Sequence, residues 1–164
     1  YRYMRIYIFC EDSYGVEFFK KLIQKLKKEK RLQRGLNFNI RRLVGMCNPK
    51  IERLLKAAYY SDKIILIVDA DGRPIDEVGC SLDRHIPRDV RHKTFKLIFP
   101  TEVEEWICIS MNLRCRGSKP SEYLKHSNIR YEKYMLPSYA DKLNVSRLKN
   151  DPTFSKFLEI MNDP

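Results

Sequence analysis

The sequence predicts an α/β domain built on a mostly parallel central sheet of about four strands, flanked by helices. Two observations carry this. Apolar runs and segments of helical spacing alternate in the order βαβαβ(α)βα, and the strand-like runs are almost continuously apolar, as strands buried on both faces of a parallel sheet are. A chain of 164 residues with 43% hydrophobic residues, 6 Gly and 8 Pro is expected to form one domain, and its composition excludes disordered and collagen-like classes.

Residues 3–10 read as the first strand, which stops at Glu11 and Asp12. From Val16 the pattern becomes helical: Phe18, Phe19, Leu22, Ile23 and Leu26 share one stripe, and lysines surround it. A basic, turn-rich stretch leads to a second strand over 38–44 and a second helix over 49–60, with Pro49 near its first turn. Residues 63–68 are the strongest strand, ending abruptly in Asp69-Ala70-Asp71-Gly72. Residues 73–93, polar and containing Pro74 and Pro87, are expected to hold a short helix and a loop over the site. A fourth strand covers 94–99, and Val103, Trp106 and Ile107 set helical spacing over 102–112, with Trp106 expected as a core anchor. A single domain over 1–164 is expected, its core over about 1–112 and a helical C-terminal extension over about 113–164, broken by Pro120, Pro137 and Pro152.

The net charge is +11, from 32 Lys and Arg against 21 Asp and Glu. Such an excess points to a polyanionic partner, nucleic acid above all. It is unevenly placed. Residues 1–63 carry 16 basic against 6 acidic residues, residues 64–105 carry 6 against 9, and residues 106–164 carry 10 against 6. A basic frame around an acidic centre suits a metal-dependent enzyme acting on phosphodiesters, in which carboxylates hold Mg²⁺ and cations hold the substrate backbone.

Cys10, Cys47, Cys80, Cys108 and Cys115 are odd in number and match no zinc spacing, so they read as reduced thiols of a cytoplasmic protein. No run approaches the length of a membrane span, and no membrane partner is expected. His85, His92 and His126 stand isolated and read as surface residues.

In open parallel sheets, sites form at the carboxyl ends of the strands. Three strands deliver acids there: Glu11 after the first, Asp69 and Asp71 after the third, and Glu102, Glu104 and Glu105 past the fourth. If extended geometry persists through Ala70, the Asp69 and Asp71 carboxylates point the same way and can share a cation. Mg²⁺, or Mn²⁺ in its place, would relieve the repulsion among them.

These residues carry a resemblance. Glu11 at a strand end, the following helix with Phe18-Phe19-Lys20-Lys21-Leu22, and the run Ile64–Val68 closed by Asp69-Ala70-Asp71-Gly72 resemble the Toprim domain, a Rossmann-like layered fold of topoisomerases, bacterial-type primases and OLD-family nucleases. Glu102–Ile107, Tyr131-Glu132-Lys133 and the tail around Phe154–Leu158 are similar to small stand-alone Toprim-like proteins related to the OLD nucleases. The resemblance implies a Mg²⁺-dependent nuclease: Asp69 and Asp71 as metal ligands, Glu11 as ligand or general acid/base, Glu105 as a further acid with Glu102 as its competitor, and Lys133 as a stabiliser of transition-state charge. Two positions depart from it. Gly15 stands where related nucleases often have an acid, and Asp12 stands where Gly is usual.

Lys20, Lys27, Lys28, Arg41 and Arg42 are the candidates for holding DNA or RNA, and a protein partner completing the site is a further possibility. The rival class is a non-catalytic module with a degenerate site that grips nucleic acid or protein, which Gly15 favours. A receiver-type signalling domain is a third reading, through Glu11, Asp12 and Asp69, with Lys119 far along the chain for that role. Topoisomerase and primase chemistry are disfavoured, since the chain shows neither a tyrosine motif with a strand-passage gate nor a zinc module.

Overall fold

The structure, a computed structural model, describes residues 3–43, 45, 48–115 and 119–163. In chain order its elements are β1 (Met4–Cys10), α1 (Ser13–Lys28), β2 (Leu36–Arg42), α2 (Lys50–Ala57), β3 (Lys63–Asp69), α3 (Ile75–Asp83), β4 (Thr94–Phe99), α4 (Glu105–Ser110), α5 (Pro120–Lys125), α6 (Leu136–Tyr139), α7 (Val145–Leu148) and α8 (Pro152–Asn162). The strands form one sheet in the order β2-β1-β3-β4. Every pairing is parallel, so the mostly parallel expectation becomes fully parallel.

Strand alternation builds two cores. Ile6, Ile8, Cys10, Ile65, Ile67, Leu97 and Phe99 face α1 and the helices from α4 onward. Phe9, Ile64, Leu66 and Val68 face α2, α3 and the segment after it. The chain steps from β1 outward to β2 and then returns to place β3 on the other side of β1, which puts the topological switch point between β1 and β3.

Several boundaries move for identifiable reasons. Helix α1 starts at Ser13 because the Asp12 carboxylate accepts from the Gly15 N–H at 2.7 Å and caps it. Strand β2 covers 36–42 to match β1 residue for residue, and Val44 lies outside the described residues. Helix α2 ends at Ala57, leaving Tyr59 and Tyr60 in a turn. Residues 73–93 hold the expected short helix, α3, but no loop over the site: Val78, Leu82, Ile86 and Val90 are buried in the second core, on a face of the sheet, with α3 against β4. The segment past 112 shares the first core, contributing Leu124, Leu136, Leu148, Phe154 and Phe157, so that core is continuous across position 112.

Two lysines close structural gaps. Lys63, 6% exposed, donates to the Ile160 carbonyl at 2.6 Å and to the Asp163 carbonyl, satisfying the end of α8. Lys27 donates to the Leu36 carbonyl at 2.8 Å. The cysteines also depart from expectation. Cys108 and Cys115 form a disulfide, with Cα atoms 6.2 Å apart, where the Leu113 N–H bonds the Cys108 carbonyl and turns the chain back past α4. Cys10 is buried and Cys80 exposed, both unpaired, and Cys47 lies outside the described residues. Among the described residues no helix is long and apolar enough to cross a membrane.

Trp106 is fully buried, with the rings of Phe18, Phe19, Phe99, Phe154 and Phe157 at centroid distances of 4.8 to 6.4 Å. Its indole N–H donates to Asp151 at 3.2 Å, and the same carboxylate caps α8 through the Phe154 N–H at 3.0 Å. One side chain thereby joins α1, β4 and α8. Trp106→Ala is expected to cost about 3–5 kcal/mol, read as a lower midpoint in urea unfolding with an unchanged slope.

Candidate active site

The carboxyl ends of β1 and β3 meet at the switch point, and Glu11 and Asp69 meet with them. A Glu11 carboxylate oxygen accepts from the Asp69 N–H at 2.9 Å. One Asp69 oxygen accepts from the Val103 N–H at 3.0 Å, which ties β3 to the turn before α4. Between them lies a cleft of about 20 Å³, whose walls include Cys10, Glu11, Asp12, Gly15, Asp69 and Lys133. That is room for one ion or one water.

The next acid at this site is Glu104. It is 1% exposed, and Lys133 Nζ lies 2.9 Å and 3.3 Å from its two carboxylate oxygens. Lys133 also lies 3.8 Å from Asp12. Tyr131, two residues earlier, is buried nearby, and its hydroxyl has no protein partner among the described residues. Burial, with the charges of Glu104, Glu102 and Asp12, holds that hydroxyl protonated.

Glu105, expected as the further metal ligand, does other work. Its carboxylate accepts from the N–H groups of Thr101 and Glu102, at 2.5 Å and 3.1 Å, and so closes the turn that leads into α4. Glu102 accepts from the N–H and hydroxyl of Ser121, both at 2.9 Å, and anchors α5. The three glutamates of residues 102–105 meet three different sets of partners as the chain turns into α4.

Asp69 and Asp71 do not point the same way. Strand β3 ends at Asp69, and Asp71 sits in the left-handed region at φ 52°, its N–H bonded to the Thr101 carbonyl. Its carboxylate turns outward to Lys119, 3.4 Å away. Lys119 lies 48 residues further along the chain, and only the tertiary fold brings it here. Asp71 still lies near enough for its charge to act on Glu11 and Asp69.

The electrostatics show an under-compensated anionic site. Loss of solvent, then the charge of Glu104, raises Asp69 from an ordinary 3.8 to about 8, although Lys133 pulls the other way. Glu11 and Glu104 are raised too, in both cases chiefly by lost solvent. Burial works against the Lys133 charge, yet Glu104, Asp12 and Asp69 outweigh it and raise this ammonium's pKa.

The donors fit Mg²⁺ or Mn²⁺ in type and charge, being hard oxygens with excess negative charge around an ion-sized cleft. They do not form a closed cage. Among the described residues no three His, Cys, Asp or Glu side chains gather around one metal position. Asp71 is turned away and Lys133 supplies the positive charge beside Glu104.

Of the basic candidates, Arg41 and Arg42 end β2 opposite Phe9 and Cys10, at the same sheet edge as Glu11. Lys20 and Lys28 are exposed along α1, with Lys28 at the end far from the cleft. Lys27 is engaged by β2 through the Leu36 carbonyl and also lies 5.8 Å from the Phe38 ring.

A raised carboxylate pKa makes stability fall with pH: the contribution is complete below the ordinary value near 4 and is lost as pH rises through the folded value near 8. In EDTA, Asp69→Asn, which keeps the acceptor for Val103, is therefore expected to melt several degrees above the parent at pH 9. The gap should close toward pH 5. Mg²⁺ should raise the melting temperature of the parent and not that of the variant, as differential scanning fluorimetry will read.

The chain matches no protein-family model, no curated protein and no solved structure.

Proposed function

We propose that this chain is a Mg²⁺- or Mn²⁺-dependent enzyme that hydrolyses nucleic-acid phosphodiester bonds. The observation that carries the proposal is the ion-sized cleft between the ends of β1 and β3, walled by Glu11, Asp12 and Asp69 with Glu104 behind them and one ammonium among them. The resemblance of Glu11, Asp69-Ala70-Asp71 and Lys133 to Toprim nucleases points the same way, as does the net charge of +11.

Glu11 and Asp69 hold the cation, with Asp71 as a neighbouring carboxylate. When bound, the cation supplies Lewis-acid polarisation of a phosphate oxygen and an acidified water. Where Glu11 does not itself ligate the cation, it is the carboxylate that would take up and return a proton, held at the end of β1 by the Asp69 N–H. Glu104 holds the Lys133 ammonium at the cleft, where it can meet negative charge that develops on phosphate. Arg41 and Arg42, exposed at the same edge, hold the nucleic-acid backbone.

A binding module without catalysis is the alternative, and the Lys133–Glu104 pair favours it, because an internal ammonium already neutralises part of the charge a metal would meet. Cleavage assays decide between them. With single-stranded, duplex and nicked DNA and with RNA, the parent is expected to cut in Mg²⁺ or Mn²⁺. Glu11→Gln, Asp69→Asn and Glu104→Gln should each lose at least about 10²-fold in rate, whereas Glu105→Gln, which retains its acceptor for Thr101, should cut like the parent. Binding without metal-dependent cleavage of any substrate would establish the module instead.

A further inference from the structure

At the opposite end of the sheet, on the face that carries α2, an open groove of about 470 Å³ is lined by Arg5, Tyr7, Asn37, Asn39, Tyr60 and Ser61. We propose that this groove binds single-stranded nucleic acid, with an unstacked base held against tyrosine and asparagine side chains and its phosphates held by the cations around it. The proposal shares with the preceding reading only the class of ligand. No metal chemistry enters it. The β1 residues of the groove, Arg5 to Tyr7, lie four to six residues back from Glu11, about 13–20 Å along the strand, and none of its lining residues belongs to the acidic cleft.

The turn after α2 is pinned while the Tyr60 ring, in edge contact with the Tyr59 ring at a centroid distance of 5.5 Å, faces mostly solvent. Lys93 Nζ donates to the Tyr59 carbonyl and, at 2.7 Å, to the Ser61 carbonyl, and it lies 5.3 Å from the Tyr59 ring. On the other side, Asp62 exchanges two hydrogen bonds of 2.8 Å with the Arg5 backbone. Tyr60, between these anchors, is 86% exposed. A ring on an already ordered backbone loses little freedom when a base stacks on it.

The rest of the groove suits the same ligand. Tyr7 is stacked on Phe9, with centroids 4.8 Å apart and planes 18° from parallel, so its ring has a fixed attitude. Asn37 and Asn39 are exposed, and among the described residues their amides have no hydrogen-bond partner. Each amide offers a donor and an acceptor, the pair needed to read the edge of a base. Arg5 lines the groove, and exposed Arg53 and Lys56 precede Ala57 of its wall by four residues and one residue on α2, against Glu52 and Asp62 as the acids of the same segments. Interleaved cations and exposed aromatics hold a single strand, whereas a duplex keeps its bases out of reach.

Fluorescence anisotropy in EDTA tests this with a short single strand, as DNA and as RNA, and its duplex. Tyr60→Ala should weaken single-strand binding about tenfold, the loss of one stacked base, and the double variant Asn37→Ala, Asn39→Ala should weaken it as well. Duplex binding should be unchanged in both, and because Tyr60 is exposed its variant should melt like the parent. Single-strand affinities within twofold of the parent in both variants would overturn the proposal, and so would equal losses for duplex and single strand. Displacement of the strand by a free mononucleotide of equal affinity would also overturn it, giving the groove to small nucleotides. The two proposals fail separately. Weakened binding in Tyr60→Ala with no metal-dependent cleavage by the parent supports the groove and removes the hydrolase, while cleavage lost in Asp69→Asn with unaltered binding in Tyr60→Ala does the reverse.

Discussion

Glu104 is almost completely buried, and a buried carboxylate is tolerated only with a charge partner and hydrogen bonds. Lys133 supplies both, from a position 29 residues further along the chain. The pair joins the turn after β4 to the segment between α5 and α6, so the C-terminal helices are held to the sheet edge by an ion pair as well as by the aromatic cluster around Trp106. Lys133 also offsets repulsion at Asp12 and Asp69. One ammonium offsets part of the repulsion among the acids of the crevice, and their raised pKa values mark what it leaves uncompensated.

Much of the positive charge is structural. Lys27, Lys63 and Lys93 donate to backbone carbonyls, closing β2, α8 and the turn after α2. Lys96 pairs with Asp83 at 2.8 Å beneath α3. Among the exposed cations that remain, Arg41 and Arg42 stand beside the acidic edge, and Arg5 stands with Tyr60 at the groove at the other end of the sheet. A strand crossing the sheet from one end to the other would meet both.

The sheet, its parallel sense and the position of the acids at strand ends were legible in the sequence, because apolar runs long enough to be covered on both faces leave few other arrangements. Glu11 and Asp69 were identifiable for the same reason: each directly follows, or ends, an apolar strand. The orientation of Asp71 was not legible in the same way. The left-handed turn at that residue is set by carbonyls of Pro100 and Thr101, which accept from Gly72 and Asp71 and lie far along the chain. The disulfide was invisible for a related reason, since a seven-residue separation is bridgeable only once the turn after α4 brings Cys115 back to Cys108.

The sequence by itself determined the layered α/β architecture, the edge at which the acids collect and the sign of the surface around them, all of which follow from period, length and charge along one chain. Tertiary structure alone decided which glutamate pairs with the lysine of the cleft. Glu102, Glu104 and Glu105 are equivalent by composition, and what separates them is the donor each meets: Ser121, Lys133, or the N–H groups of its own turn. The same holds for the lysines, whose roles depend on whether a carbonyl, a carboxylate or only solvent lies within reach.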